Sequence, residues 1–302
     1  MPYLHNDKEL FREAINLAYQ HTGLMIQAIE KDYYVTMLLK LLSDKLPYIV
    51  FKGGTSLSKC YQIIKRFSED IDLTIDSSLS QGQKKKVKQA IVDSADELGM
   101  IISNIEDTRS RRDYNRYIIS YKSVLTTENN ALTSAVLLET SYTAVSFPTV
   151  SLQVHSFIEE MMQYEAPEAI ENFMLTPFKM KVQGIDRTFV DKIFAICDYY
   201  LEGKVAKHSR HLYDIYKLFP LIPQDDNFKQ LVSEVRKVRG KSIICPSAKP
   251  EINISSLLAK IIAEKAYQAD YETLTTQLLE EKVPYTTTIS TLKQISNSKI
   301  FD

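Results

Sequence analysis

A Gly-Gly pair between an apolar run and an alternating acidic run constrains the fold of this chain more than any other feature. Residues 48–51, YIVF, are a short apolar run typical of a buried strand, and Gly53 and Gly54 follow almost at once. A helical stretch comes next, and EDIDLTI (69–75) then alternates polar and apolar residues as a strand does. The pattern predicts strand, tight glycine turn, helix and second strand.

The rest of the chain predicts an α+β half followed by a mostly helical half. Before Pro148, helical periodicity falls at 6–21, 25–43, 57–67 and 82–98, and alternating segments fall at 100–106, 114–122, 132–142 and 149–154. These alternating segments are most simply an antiparallel extension of a mixed sheet. Beyond Pro148 the pattern is helical almost throughout, at 156–163, 187–202, 209–219, 226–239 and 253–281. We therefore predict two domains, 1–160 and 161–302.

Composition narrows the class of protein without deciding its function. The chain has 302 residues and a formal net charge of −1, so no overall basic field indicates nucleic-acid binding. Its three cysteines are far apart, which disfavours a disulfide framework and suits a reducing cytoplasm. The charged N-terminal stretch is unlike a secretory signal, and no apolar run approaches a membrane span. We expect a cytoplasmic protein without membrane contact.

The glycine turn allows two interpretations. Backbone N–H groups at a helix start favour phosphate, and glycines let a ligand approach the backbone closely. The other interpretation is an ordinary tight turn, with Thr55 or Ser56 as the N-cap of the helix.

The acidic strand also allows two interpretations. Residues two apart on a strand share a face, so Asp70 and Asp72 lie opposite the apolar residues, as does Asp76 if the strand extends that far. Carboxylates on one face are typical of a solvated edge, but they also suit Mg²⁺, and two such ions can clamp a phosphoryl transfer. A third carboxylate is expected from a neighbouring strand. Glu139 is the best candidate, unless its strand is a solvated edge.

Several motifs together resemble a known family. The run GGTSLS (53–58) with RFSEDIDL (66–73) closely resembles the AbiEii/AbiGii-type nucleotidyltransferase toxins, a branch of the DNA polymerase β-like superfamily. Three further motifs resemble signatures of the family: EKDYYV (30–35), RTFVDK (187–192) and RHLYDIY (210–216). Fifteen residues separate Gly54 from Asp70, a longer spacing than is usual in the superfamily but one that this branch tolerates.

The resemblance implies a fold and a set of roles. The fold would be a polymerase β-like nucleotidyltransferase domain with a mixed sheet, followed by a helical domain that closes over the active site. Gly53, Gly54, Thr55 and Ser56 would seat the nucleoside triphosphate, and Asp70 and Asp72 would bind Mg²⁺. Two later positions match family residues needed for activity. Lys192 would contact the triphosphate, and Asp214 would orient the Lys192 side chain. Without the resemblance, both would be interpreted as ordinary helix-surface charges.

Two other groups of polar residues indicate a function less specifically. The arginines at 109, 111, 112 and 116 (Arg109, Arg111, Arg112, Arg116) alternate with Tyr114 and Tyr117, a pattern suited to RNA phosphates and unpaired bases. A solvated hairpin would have the same composition, and the lysines at 84–88 are a second basic cluster. His208 and His211 could share a metal, but a polar helix start is the simpler interpretation.

Three functions follow from these patterns. The first is Mg²⁺-dependent transfer of a nucleotide from NTP to an RNA such as a tRNA 3′ end, in a toxin that blocks translation, takes part in phage defence and is opposed by an antitoxin protein or repressor. The second keeps the chemistry but has a protein or small-molecule acceptor. The third is a non-catalytic regulator that binds nucleotide or RNA. Because Asp70 and Asp72 are both present, the first is favoured.

Overall fold

The computed structural model describes residues 2–68, 70–125, 132–142 and 145–302, and it confirms a mixed α/β fold. The chain forms two compact units. Unit 1 comprises Met1–Tyr61 and Ser68–Val182, and unit 2 comprises Gln62–Phe67 and Gln183–Asp302. The short segment 62–67 therefore belongs to unit 2, although the chain on both sides of it belongs to unit 1.

Unit 1 carries the mixed sheet and the helices that cover it. Its helices are α1 (Lys8–Thr22), α2 (Ile26–Lys45), α3 (Gly53–Lys59), α4 (Gln81–Glu97), α5 (Phe157–Glu165) and α6 (Pro167–Asn172). Its strands are β1 (Ile49–Lys52), β2 (Ile71–Ile75), β3 (Ile101–Ile102), β4 (Tyr114–Ser120), β5 (Ala135–Ser141), β6 (Thr149–Val154) and β7 (Phe178–Gln183), of which the last residue begins unit 2. Short 3₁₀ turns lie at Leu4–Asn6 and Ile105–Asp107.

The strand order is β3-β4-β5-β2-β1-β7-β6. β2 is antiparallel to β1 and parallel to β5, whereas β4 is antiparallel to both β3 and β5. Alternation explains the burial along β2, where Ile71, Leu73 and Ile75 are buried and Asp72 on the other face is half-buried. β2 and β5 are both inner strands, so neither Asp72 nor Glu139 lies on a solvated edge.

Unit 2 is helical. Its helices are α7 (Ile185–Leu201), α8 (Arg210–Leu218), α9 (Asp226–Arg239), α10 (Ile254–Ala263), α11 (Gln268–Asp270), α12 (Thr276–Leu278) and α13 (Tyr285–Ser298). A π-helical turn, Tyr271–Thr275, joins α11 to α12, and 3₁₀ turns lie at Phe219–Leu221 and Pro246–Ala248. Within the described parts of both units, no helix combines the length and the apolar character that crossing a membrane requires.

Three predicted elements were wrong in detail, and further observed elements were not predicted. The helix expected over 57–67 ends at Lys59, and the strand expected over 100–106 keeps only two residues. The helix expected over 253–281 is broken into α10 and short turns, and α13 was not predicted. β7 was also not predicted, and its parallel pairing with β1 brings residues 161–182 into unit 1. The division into domains at residue 160 stays a prediction.

Candidate active site

Gly53 lies directly against the side chain of Asp72. Its φ is +81°, and a Cβ placed on it would be 2.1 Å from Asp72 Oδ2. A side chain at this position would therefore be strained by the backbone and would also collide with the carboxylate. The glycine turn and the acidic strand thus meet at one point, which is the part of the site that requires glycine.

Asp72 belongs to a row of charged residues that crosses the sheet. Its register partners are Lys52 on β1 and Glu139 on β5, and Glu139 is in turn opposite Arg116 on β4. Directly opposed residues on neighbouring strands share a face, and the strands lie roughly 5 Å apart. The row therefore places two carboxylates between two cations, and Asp70, also half-buried, comes one residue before β2.

Glu139 already has partners on β4. Arg116 Nε lies 3.6 Å from Glu139 Oε1, and the Tyr114 hydroxyl donates a hydrogen bond to the same carboxylate. Burial, followed by the nearby Glu139 charge, raises the pKa of Tyr114, which keeps this hydroxyl a donor. In the described parts of the chain, no three histidine, cysteine or carboxylate side chains are grouped to hold a metal ion.

The hydroxyl groups after the glycines do not cap α3. The helix begins at Gly53, its N-cap residue is Lys52, and no side chain caps it, so the N-cap prediction for Thr55 and Ser56 was wrong. Both hydroxyls are buried inside the first turn instead. Ser56 Oγ donates to the Gly53 carbonyl at 2.8 Å, and Thr55 shares a 2.9 Å hydrogen bond with Ser68. These contacts stabilise the glycine turn and join it to the residues that precede Asp70.

Unit 2 contains a buried ion cluster made of Lys192, Asp214 and Arg66. Asp214 on α8 is completely buried, and Lys192 Nζ on α7 donates to its Oδ2 at 2.6 Å. Arg66 binds the same carboxylate with both arms of its guanidinium, Nε to Oδ1 at 2.6 Å and Nη2 to Oδ2 at 2.7 Å. The predicted residues Lys192 and Asp214 are therefore in direct contact, whereas Arg66 was missed.

The electrostatics of the cluster keep Asp214 ionised. Burial alone raises the pKa of the Asp214 carboxyl, but the charges of Arg66 and Lys192 outweigh burial and hold it below its usual value. For Lys192, burial lowers the pKa, Asp214 opposes that effect, and Arg66 adds to it. Arg66 could have been found from the sequence, because it is the first residue of RFSEDIDL (66–73), the run that also contains the predicted metal ligands Asp70 and Asp72.

The arginines predicted to bind RNA have different environments. Arg109 and Arg112 donate to backbone carbonyls of the preceding turn, at Glu106 and Asp107. Arg111 and Arg116 are exposed. Of the two interleaved tyrosines, Tyr114 is half-exposed, but Tyr117 is 1% exposed and packs in the core, so its expected stacking on a base was wrong.

The two histidines of unit 2 pack beside a tyrosine. His208 stacks on Tyr199 with ring centroids 3.5 Å apart, and His211 lies parallel to His208. Burial, followed by the charge of Lys192, lowers the pKa of His211 well below its usual value. Both imidazoles are thus part of a ring cluster at the start of α8.

The comparisons with known proteins concern the fold and the family of the chain. In structure, the chain is similar to MenT4, a nucleotidyltransferase toxin from Mycobacterium tuberculosis H37Rv, with a TM-score of 0.59 and 17% sequence identity over 95% of this chain and 89% of that chain. At this identity the similarity supports the fold. Among curated proteins, none matches the sequence.

The fold is that of a nucleotidyltransferase toxin. The model of the family described as nucleotidyl transferase AbiEii toxin, of type IV toxin–antitoxin systems, matches residues 38–292, and the chain belongs to this family. The matched range includes the glycine turn, the acidic strand and the buried ion cluster. The protein is therefore an NTP-using nucleotidyltransferase toxin, and the family implies a cognate antitoxin.

Proposed function

We propose that the protein is a Mg²⁺-dependent enzyme that transfers a nucleotide from NTP to an RNA hydroxyl, such as a tRNA 3′ end, and releases pyrophosphate. Modified tRNA could not be aminoacylated in the usual way, so translation would stop until the antitoxin intervenes. The site of action would be the cytoplasm, where tRNA and NTP are both present.

The contact between Gly53 and Asp72 carries this proposal. A triphosphate bound to the backbone at the start of α3 would lie beside a carboxylate able to hold its metal ion. An ordinary tight turn has no need to bring a carboxylate against its glycine. The same contact therefore supports both the phosphate role of Gly53, Gly54, Thr55 and Ser56 and the metal role of Asp72.

The donor groups fit Mg²⁺. Asp70 and Asp72 offer the hard oxygen ligands that this ion prefers, and Glu139 is adjacent to Asp72 across the sheet. We propose Glu139 as a third ligand of a two-metal site, which requires its contacts with Tyr114 and Arg116 to rearrange. When bound, Mg²⁺ would supply charge neutralisation at the phosphates.

The residues of the chain have separate tasks in the proposed reaction. The N–H groups of the α3 first turn would bind the triphosphate and orient it for in-line attack by the acceptor hydroxyl. Lys192 would donate to the phosphate groups that depart, where negative charge increases in the transition state. Asp214 would hold the ammonium in its donating orientation, as its 2.6 Å hydrogen bond supports.

The acceptor would bind on the β4 side of the sheet. Arg111 and Arg116 are exposed cations that can follow RNA phosphates, and Arg109 and Arg112 would add charge while they brace the turn. The Tyr114 ring is half-exposed, so it can stack on an unpaired base of the acceptor.

Incubation with total tRNA and each labelled NTP in turn tests the proposal. We expect label to be transferred to tRNA with Mg²⁺, and to be lost with a chelator or in Asp70→Ala. Label on protein or on a small molecule instead would replace RNA as the acceptor. Binding of NTP without any transfer would favour a non-catalytic regulator and would overturn the proposal.

A further inference from the structure

Segment 62–67 leaves unit 1 and is anchored in unit 2 by both backbone and side chains. Phe67 N donates to Leu278 O at 2.9 Å and Glu280 N donates to Lys65 O at 3.0 Å, which forms a short antiparallel bridge. Lys65 N also donates to the Tyr213 hydroxyl at 3.1 Å. The segment that joins the glycine-turn helix to the acidic strand is thus fixed by late parts of the chain.

Arg66, at the centre of this segment, controls how Asp214 meets Lys192. Its side chain is 2% exposed, and its fork takes both oxygens of the Asp214 carboxylate, including the Oδ2 that accepts from Lys192. A carboxylate held in this bidentate way cannot rotate to give both oxygens to the lysine. Asp214 can therefore orient Lys192 while it is also paired with Arg66.

We propose that Arg66 is a positioning residue of the transfer site, which occupies Asp214 so that the Lys192 ammonium is oriented but remains available to an anionic phosphate group. This inference rests on the proposed function of Lys192. Without the arginine, Lys192 and Asp214 would form a closed ion pair, and a phosphate would have to compete with Asp214 for the ammonium. Arg66 thus favours binding of the Lys192 ammonium to phosphate over a closed ion pair between Lys192 and Asp214.

The charges around Lys192 determine in which direction its pKa should change when Arg66 is replaced. The groups that act on it are Asp214, which favours the protonated lysine, and Arg66 and Arg210, which oppose it; His211 lies nearby and is neutral because of its lowered pKa. Removal of the Arg66 charge should therefore raise the pKa of Lys192. A purely structural arginine elsewhere in unit 2 would not change this titration.

The experiment compares four variants of the full chain. Arg66→Gln removes the charge and the fork, and Arg66→Lys keeps the charge but loses the bidentate geometry. Tyr213→Phe removes the hydroxyl that holds Lys65 but leaves Asp214 intact. Arg236→Gln is the matched structural control, because in the described parts of the chain the Arg236 side chain donates to the backbone carbonyls of Lys249, Ile252 and Phe301.

Two measurements are made on each variant. Turnover and KM for NTP are followed against pH, and the titration of Lys192 is followed directly by NMR of ¹³Cε-labelled lysine, with its resonance assigned from Lys192→Arg. Arg66→Gln should lower kcat by about 10- to 100-fold, the range for loss of a residue that orients a functional group, and should move the alkaline limb and the lysine titration to higher pH. Arg66→Lys should lower kcat but keep the wild-type titration.

The controls separate this inference from the proposed function. Arg236→Gln and Tyr213→Phe should lower the melting temperature without shifting the Lys192 titration. An unchanged Lys192 titration in Arg66→Gln, or an equal kcat loss in Tyr213→Phe, would overturn the positioning role of Arg66. Absence of transfer by the wild type, together with the expected titration shift, would instead contradict the proposed function and leave the Arg66–Asp214–Lys192 linkage supported.

Discussion

Replacement of Gly53 by alanine is the most direct perturbation of the proposed phosphate and metal site. The new Cβ would lie 2.1 Å from Asp72 Oδ2 and 3.0 Å from its Cγ, so the carboxylate must move. The backbone of Asp72 is held between β1 and β5, and the side chain can only rotate. Gly53→Ala therefore displaces a proposed metal ligand without changing any charge.

The magnitude has two parts. An L-residue in the left-handed region costs about 1–2 kcal/mol relative to glycine. Rotation of Asp72 away from its preferred geometry costs a further ~0.5–1.5 kcal/mol. We expect unit 1 to lose about 1.5–3.5 kcal/mol of stability, and turnover to fall about 100-fold, the scale of a 1 Å misplacement at a reacting centre.

Two other glycines provide matched controls. Gly23 and Gly99 also have positive φ, +71° and +64°, but a Cβ on either would meet no atom within 4 Å. Their alanine variants should show the backbone cost alone and should keep wild-type turnover. The double variant Gly53→Ala/Asp72→Ala should recover the part of the stability lost to the collision, but it should have no activity because the proposed metal ligand is gone.

Thermal unfolding and a tRNA-labelling assay on the same preparations measure both effects. If the melting temperature of Gly53→Ala falls no further than that of Gly23→Ala, the Asp72 side chain can rotate away without loss of stability. Turnover within about threefold of the wild type would then refute the view that Asp72 must remain where the structure has it, since even a few tenths of 1 kcal/mol in the barrier changes the rate measurably.

Three further predictions concern the remaining site residues. Asp70→Ala should abolish transfer without lowering the melting temperature, because it removes one of several closely spaced negative charges; a normal rate would contradict the metal assignment. Lys192→Ala should lower turnover by at least about 100-fold, and adding Asp214→Ala should cost little more because the two residues act as a unit; additive losses in rate assays would refute this. Tyr114→Ala should weaken tRNA binding in a filter assay at unchanged stability, whereas Tyr117→Ala, a core truncation, should cost about 3–5 kcal/mol of stability. Equal melting losses in the two tyrosine variants would argue against different roles for them.

The strands of unit 1 were largely predictable because alternation is a local signal. β4, β5 and β6 fall inside the segments expected from period-two patterns, within a few residues at each end. β7 was missed although Phe178, Met180 and Val182 alternate with lysines, because the surrounding prolines suggested a domain boundary. Its partner, β1, lies more than a hundred residues earlier, and no local pattern identifies such a pairing.

The candidate site was predictable only where it is local. The glycine turn and the acidic strand are close in sequence. The contact between Gly53 and Asp72 therefore follows from the predicted order of strand, glycine turn and second strand. The helix expected over 57–67 was wrong because hydrogen bonds to Tyr213, Leu278 and Glu280 hold residues 65–67 in place, and helical spacing of apolar residues cannot reveal such distant partners. Lys192 and Asp214 stand on different helices and were paired only through the family resemblance.

The capture of segment 62–67 by the distant C-terminal helices affects the order of events during synthesis. Arg66 and Asp214 are 148 positions apart, so at roughly 5–20 residues per second the ribosome adds the carboxylate about 7–30 s after the arginine. The bridge to Leu279 requires a still longer chain. A nascent chain therefore passes through a period in which Arg66 is present before Asp214, and the cluster of Arg66, Asp214 and Lys192 does not yet exist. On the proposed role of Lys192, a growing chain would carry no complete transfer site until Asp214 has been translated.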